Sequence, residues 1–246
     1  MKTLVYSSEG LLGDSLCTLP AIYEYSKNNK FDLFLSNIHV RKIFIENDNI
    51  NLLDIEPNKQ NYDNVIETNV GKLFGGSVWK EHMIQSHFKE FNLQTPIIPT
   101  RPNIKIQRSD LKYDFLISPF SASGVGVKDW NVNNWNIVIS ELKNYGSIAV
   151  LGSKHYNNEQ HGFVDVDFLF DYPLGELAYI IKNSKLTITI DNGISHLTYA
   201  AEGKHLLLYP KCLPEVWVRN PNATILHGIP NSLSVEQVLT TIKSLI

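Results

Sequence analysis

Long apolar runs are missing from this 246-residue chain. None approaches the roughly 18–20 residues that a membrane-spanning helix needs, which excludes a helical integral membrane protein. Cysteine is scarce too: Cys17 and Cys212 cannot make a disulfide framework or a cysteine-only zinc site. No excess of one charge exists, since 22 Lys and Arg face 25 Asp and Glu. Residues 1–110 carry 12 basic against 13 acidic side chains, and residues 111–246 carry 10 against 12. A sequence-independent nucleic-acid binder ordinarily shows a basic surplus, and neither half does. The N-terminal apolar stretch turns polar at Ser7-Ser8-Glu9, too soon for a signal peptide, so a reduced cytoplasmic protein is expected. G-x-S-x-G, H-E-x-x-H and G-x-G-x-x-G are all lacking. His82 and His87 stand five apart, which does not bring two imidazoles to one helix face for a metal.

What is present is an alternation of short β-branched runs with helical periodicities. Thr3 to Tyr6 predicts a strand, followed by a glycine-containing turn and a helix with Leu16, Leu19, Ile22 and Tyr23 at helical spacing. Further strands are predicted at Phe31–Leu35, Leu52–Ile55 and Tyr62–Glu67, with helices at Val40–Ile45 and Lys80–Leu93. Three prolines in seven residues, Pro96, Pro99 and Pro102, interrupt the pattern, and a linker is placed at about 95–110. The alternation then restarts. Strands are predicted at Tyr113–Ser118, Ser147–Leu151, Leu186–Ile190 and His205–Tyr209, and helices at Asn133–Leu142, Leu174–Asn183, Ile194–Ala201 and Val235–Leu245. The prediction is two α/β halves, residues 1–100 and 111–246, each with a parallel sheet.

Three segments carry candidate chemistry. Leu12-Gly13-Asp14-Ser15 lies between a strand's carboxyl end and a helix start, the edge at which open α/β sheets bind ligands. Asp14 is placed either to serve a ligand or simply to cap its helix. Asp191-Asn192-Gly193-Ile194-Ser195-His196 repeats the design after the most β-branched strand, where helix amides can hold an anion. Here the bland alternative is again capping, by Asp191 or Asn192, with His196 a hydrogen-bonded packing residue. Between them, the small-residue loop from Ser121 through Ser123 to Lys128 has the logic of an anion cradle, or is a surface loop with a solvated lysine. Cys17 reads as a small core residue.

Together these segments resemble glycosyltransferase family 9, the heptosyltransferases of lipopolysaccharide core assembly. Gly13-Asp-Ser-Leu-Cys-Thr-Leu-Pro-Ala21 is similar to the family's first glycine-aspartate turn and helix. Lys128-Asp-Trp130, with Trp135 beyond, is similar to its Lys-x-Trp segment, and Ile190-Asp-Asn-Gly-Ile-Ser-His-Leu197 to its Asp-Thr-Gly-Leu-Ser-His-Leu signature. The resemblance implies a GT-B fold, two Rossmann-like domains with parallel sheets facing across a cleft, the first for the acceptor and the second for the donor. It implies inverting, metal-independent sugar transfer from a nucleotide-diphosphate sugar, with no cofactor. By position it makes Asp14 the catalytic base and gives the donor phosphates to Ser123, Lys128, Gly193, Ile194 and Ser195. Asp191 and Gly13 fall to the donor sugar and Tyr172 to the nucleotide base, with His196 and Glu159 as further candidates. The acceptor is left open by the sequence: a saccharide or lipid-linked saccharide, alternatively modified DNA. Alternative readings are a compact phage-type enzyme that glycosylates a modified DNA base, or a nucleotide-sugar binding protein without transfer activity. Two departures stand out: Asn192 replaces the signature's threonine, and the chain is shorter than ordinary members, mainly in the first half. Lys72, Lys80 and His82 are either acceptor contacts or a solvated helix face.

Overall fold

The computed structural model describes residues 1–70, 81–122, 126–153, 162–211 and 220–246. The chain divides into two compact units, one made chiefly of Met1–Lys105 and the other of Ile106–Leu213 with Asn222–Ile246.

The first unit runs β1 (Thr3–Ser7), α1 (Leu12–Ser26), β2 (Phe31–Leu35), α2 (Ile38–Ile43), β3 (Ile50–Leu52), β4 (Asn64–Thr68) and α3 (Met83–Glu90). Its strands form one parallel sheet in the order β3-β2-β1-β4. β1 is buried throughout because both its faces are covered, which is why Thr-Leu-Val-Tyr-Ser reads as an unbroken run and not an alternation. α1 buries Leu16, Leu19 and Ile22 completely. It also continues through Pro20 to Ser26, although proline removes one helical donor. The chain moves outward from β1 through β2 to β3, then returns to place β4 on the other side of β1. The order therefore reverses between β1 and β4.

The second unit runs β5 (Phe115–Ser118), α4 (Val132–Leu142), β6 (Ile148–Gly152), β7 (Asp167–Phe170), α5 (Leu174–Asn183), β8 (Leu186–Ile190), α6 (Gly193–Ala200), β9 (His205–Pro210), β10 (Thr224–Ile229) and α7 (Val235–Leu245). Its six parallel strands are ordered β10-β9-β8-β5-β6-β7, so this sheet reverses between β5 and β8. One continuous core joins Phe115, Ile117, Ile188 and Leu208 to Trp135, Val138, Val238 and Ile242 of the covering helices. Trp130 and Trp135 meet edge to face at 5.1 Å, and the Trp130 indole donates to the Leu233 carbonyl at 3.2 Å. That contact ties the loop bearing Lys128 to the segment before α7.

Two parallel α/β sheets are what the alternation predicts, and the ends of the elements differ by a few residues. Two strands escaped it: β7 and β10, the two edges of the larger sheet. The run expected at Leu52–Ile55 pairs earlier, as Ile50–Leu52. The helix expected at Lys80–Leu93 is Met83–Glu90, with His82 as its cap.

Candidate active site

The reversal between β5 and β8 sets the geometry of the second unit's candidate site. At such a point the two strand ends diverge and leave a crevice beyond their carboxyl termini. Asn192 closes it. Its Oδ1 accepts the amides of Ile194 at 3.0 Å and Ser195 at 3.1 Å, while its Nδ2 donates to the carbonyls of Ser118 at 3.2 Å and Phe120 at 2.8 Å. One side chain thus caps α6 and stitches it to the end of β5. The Ser195 hydroxyl turns inward and donates to the Asn192 carbonyl at 2.6 Å. Of the three amides given to the donor phosphates, Gly193's is the one that Asn192 does not hold.

Beside this cap, Lys128 Nζ lies 2.7 Å from Asp191 Oδ2, with side chains 16% and 3% exposed. Burial raises the proton affinity of Asp191, and the lysine opposes that shift by favouring the carboxylate. Gly126 stands two residues before Lys128. Its φ of +79° is a left-handed conformation suited to glycine, and its N–H is held by Asp129 Oδ2 at 2.7 Å. His196 is 6% exposed, and burial, helped by the Lys128 charge, pushes its imidazole down to about 4. Behind it, burial and then His196 push His205 down to about 3, with Nε2 2.8 Å from Thr189 Oγ1. Both rings are neutral at physiological pH, so Lys128 supplies the positive charge of this group. Tyr172 lies just past the end of β7, its hydroxyl 3.1 Å from Glu176 Oε2 and 3.2 Å from Ser109 Oγ.

The first unit builds a second crevice at its own reversal, between β1 and β4. The loop from Ser8 to Leu11 is clamped from two sides. Ser15 Oγ and Ser36 Oγ donate to the Glu9 carbonyl at 2.7 and 2.9 Å, and Asn37 Nδ2 donates to the Gly10 carbonyl at 2.9 Å. The Val70 amide, just beyond β4, donates to the Glu9 carboxylate, so Glu9 bridges the reversal as Asn192 does in the other unit. Glu9 is 5% exposed. Burial pushes its carboxyl up to about 8, the Val70 hydrogen bond opposes this, and the charges of Asp14 and Glu90 add to it. Asp14 does not cap α1: Leu11 is the N-cap and makes no side-chain bond, which leaves Asp14 in the first helical turn. Gly13, one residue before it, is buried.

Of the residues singled out in sequence, Lys128, Asp191, Gly193, Ile194, Ser195 and His196 gather at the β5/β8 reversal. Asp14 and Gly13 lie at the β1/β4 reversal, and Tyr172 lies at the same carboxyl edge as Asp191, at the far strand of its sheet. Ser123 and Glu159 fall outside the described residues, as do Lys72 and Lys80. His82 is 5% exposed and not on a solvated face; its Nδ1 accepts the Ile84 amide at 3.1 Å. Among the described residues, no three His, Cys, Asp or Glu side chains form a metal-ligand set. Nor is any helix there long and apolar enough to cross a membrane. A cavity of 530 Å³ opens beside Tyr23, Ser26 and Asn47, at the opposite end of α1 from Asp14. Its lining on α1 runs from Pro20 to Ser26, and at 1.5 Å per helical residue it begins roughly 9 Å along the helix from Asp14; it includes neither Asp14 nor Gly13. Glu9 is the residue that sequence reasoning passed over; its signal was a carboxylate two positions beyond a buried parallel strand.

Comparison with known proteins bears on the family and the fold. The family model described as glycosyltransferase family 9 (heptosyltransferase) matches residues 77–238. Lipopolysaccharide heptosyltransferase 1 of Salmonella typhimurium is 28% identical over 123 residues, covering 41% of this chain and 39% of its own length. The match thus spans about two-fifths of that relative. The glycosyl transferase family 9 structure from Veillonella parvula superposes with a TM-score of 0.75 at 14% identity, over 99% of this chain and 97% of that one. The ADP-heptose lipopolysaccharide heptosyltransferase II of E. coli gives a TM-score of 0.75 at 13% identity, over 100% and 98%. At these identities the two structures speak for the shared fold.

Proposed function

The chain belongs to glycosyltransferase family 9, and from that premise we propose that it moves a sugar from a nucleoside diphosphate donor to an acceptor hydroxyl. The observation that carries this reading is the group at the β5/β8 reversal: a lysine, a buried carboxylate and an asparagine-anchored helix start within one crevice. ADP-heptose is the first donor to try, because the name of the E. coli relative contains it.

The proposed chemistry is a single displacement that inverts the anomeric carbon. The acceptor oxygen forms its bond to that carbon as the carbon–oxygen bond to the diphosphate breaks. The acceptor's proton passes to Asp14, and the leaving diphosphate takes the bonding electron pair. Negative charge therefore grows on the diphosphate, where Lys128, the Gly193 amide and the positive end of α6 stabilise it without a metal. Ser123 and Lys128 hold the phosphates, joined by Ile194 and Ser195 where Asn192 yields their amides. Asp191 hands Lys128 over to the donor and turns its carboxylate to the sugar hydroxyls. Tyr172 stands three strands from β8, and at about 4.8 Å per strand the gap of roughly 14 Å suits an extended nucleotide sugar. Asp14 is a weak base, so positioning must supply much of the rate. The acceptor is a saccharide or lipid-linked saccharide.

The test is ADP release from ADP-heptose, alongside thermal shifts with ADP, UDP and GDP. Binding at 100 times the dissociation constant adds about 2.7 kcal/mol of stability. Wild type and Asp14→Asn are expected to bind the same nucleotide, with turnover lost in the variant. No stabilisation by any nucleotide, or equal turnover in both proteins, overturns the proposal.

A further inference from the structure

The proposed mechanism has no use for Glu9, yet the first unit invests several hydrogen bonds in holding it. Its main chain is gripped by Ser15 from α1 and Ser36 from the end of β2, and its carboxylate by the Val70 amide from the end of β4. The charged groups that reach it among the described residues are Asp14 on α1 and Glu90 on α3. Glu90 is itself engaged, with Oε2 2.7 Å from Nδ1 of the fully buried His87. Ser36, Asn37 and Val70, on the remaining neighbouring segments, carry no charge. A buried carboxyl met by one amide and two like charges is costly unless its charge state serves something. Asp14 adjoins it: Ser15, the next residue on α1, reaches the Glu9 carbonyl at 2.7 Å, and the charges of the two carboxyls oppose each other.

We propose that Glu9 is a positioning residue for Asp14: its buried carboxyl, by holding or releasing a proton beside Asp14, sets how strongly Asp14 takes the acceptor's proton. The inference rests on Asp14 being the base. With Glu9 protonated, its carboxyl adds no charge beside Asp14, and Glu90 is engaged with His87. When Glu9 loses its proton, the added negative charge makes Asp14 hold a proton more tightly. Proton transfer then runs faster. Burial places that change near pH 8, so turnover climbs through this region by about three- to tenfold, in keeping with Brønsted dependence on base strength.

Glu9→Gln separates this role from a structural one, because its amide carbonyl still accepts the Val70 N–H. Wild type, Glu9→Gln and Asp14→Asn are compared for ADP release from ADP-heptose, with water or added saccharide as acceptor, from pH 6 to 9.5. Carbon-13 NMR titration of the Asp14 carboxyl, which needs no substrate, runs in parallel. The expected result is a rise near pH 8 in wild type that is absent from Glu9→Gln, with a matching step in the Asp14 signal that the variant also loses. The same rise in both proteins, or a uniform loss of rate in Glu9→Gln at every pH, overturns the proposal. So does an Asp14 signal with no step near pH 8 in wild type. If Asp14→Asn turns over like wild type, the base assignment fails instead, whatever Glu9 does.

Discussion

Glu9→Gln should make the protein more stable, by an amount that depends on pH in a direction opposite to that of an ordinary salt-bridged carboxylate. The native carboxyl is pushed from 4.5 up to about 8, chiefly by burial. Between those values the unfolded chain releases the proton while the native protein keeps it. Raising pH from about 4.5 therefore drains stability from wild type by about 1.4 kcal/mol per unit until the native group also ionises. Glutamine does not titrate and carries none of this loss. Relative to its offset at low pH, the variant gains about 1 kcal/mol at pH 5 and about 3 kcal/mol at pH 7, levelling off above pH 8. The assay is equilibrium urea unfolding of both proteins at pH 5, 6, 7 and 8.5, followed by circular dichroism. Subtracting the pH 5 difference from each other pH removes any contribution from the new amide itself. A difference that is constant with pH, or a variant that loses ground to wild type as pH rises, would refute the account of Glu9. A gain in stability joined to a flattened rate profile would mark Glu9 as a site where the fold gives up stability for function.

Two further outcomes concern the second unit. Asn192→Ala removes the cap of α6 and leaves the Ser118 and Phe120 carbonyls without that donor, so it should cost about 2–4 kcal/mol. Asn192→Thr keeps the cap and should lose about half as much, as urea unfolding would show. Asp191→Asn removes the resting partner of Lys128. It should strengthen ADP binding severalfold by calorimetry while turnover of ADP-heptose falls, and weaker ADP binding would contradict the exchange of Lys128 from Asp191 to phosphate.

The legible parts of the chain were those buried on both faces. β1, β2, β5 and β8 announce themselves as largely apolar runs, β-branched most of all in β8, because helices cover both sides of each sheet. β7 and β10 do not. As edges they have one neighbour each; Asp167 is exposed, and Thr224-Ile-Leu-His-Gly-Ile mixes half-buried positions with a register shift between His227 and Ile229. The donor-side candidates were visible because polar residues directly follow a buried strand. That Asn192 would spend its amide on Ser118 and Phe120 was not visible, since the partners lie 74 and 72 residues away. Glu9 was hidden for the same reason. Its meaning depends on Val70, 61 residues on, and on charges from two helices.

The 2.7 Å contact between Lys128 and Asp191 also bears on what the crevice ignores. At rest its lysine is already neutralised, so the site offers little net attraction to a passing anion and little electrostatic steering. Free phosphate would have to displace the carboxylate from its lysine, with nothing else to offset the exchange. A nucleotide sugar brings a base, a ribose and a sugar ring along with its charge. On the proposed reading the ion pair works as a filter, in which an anion is admitted for what is attached to it.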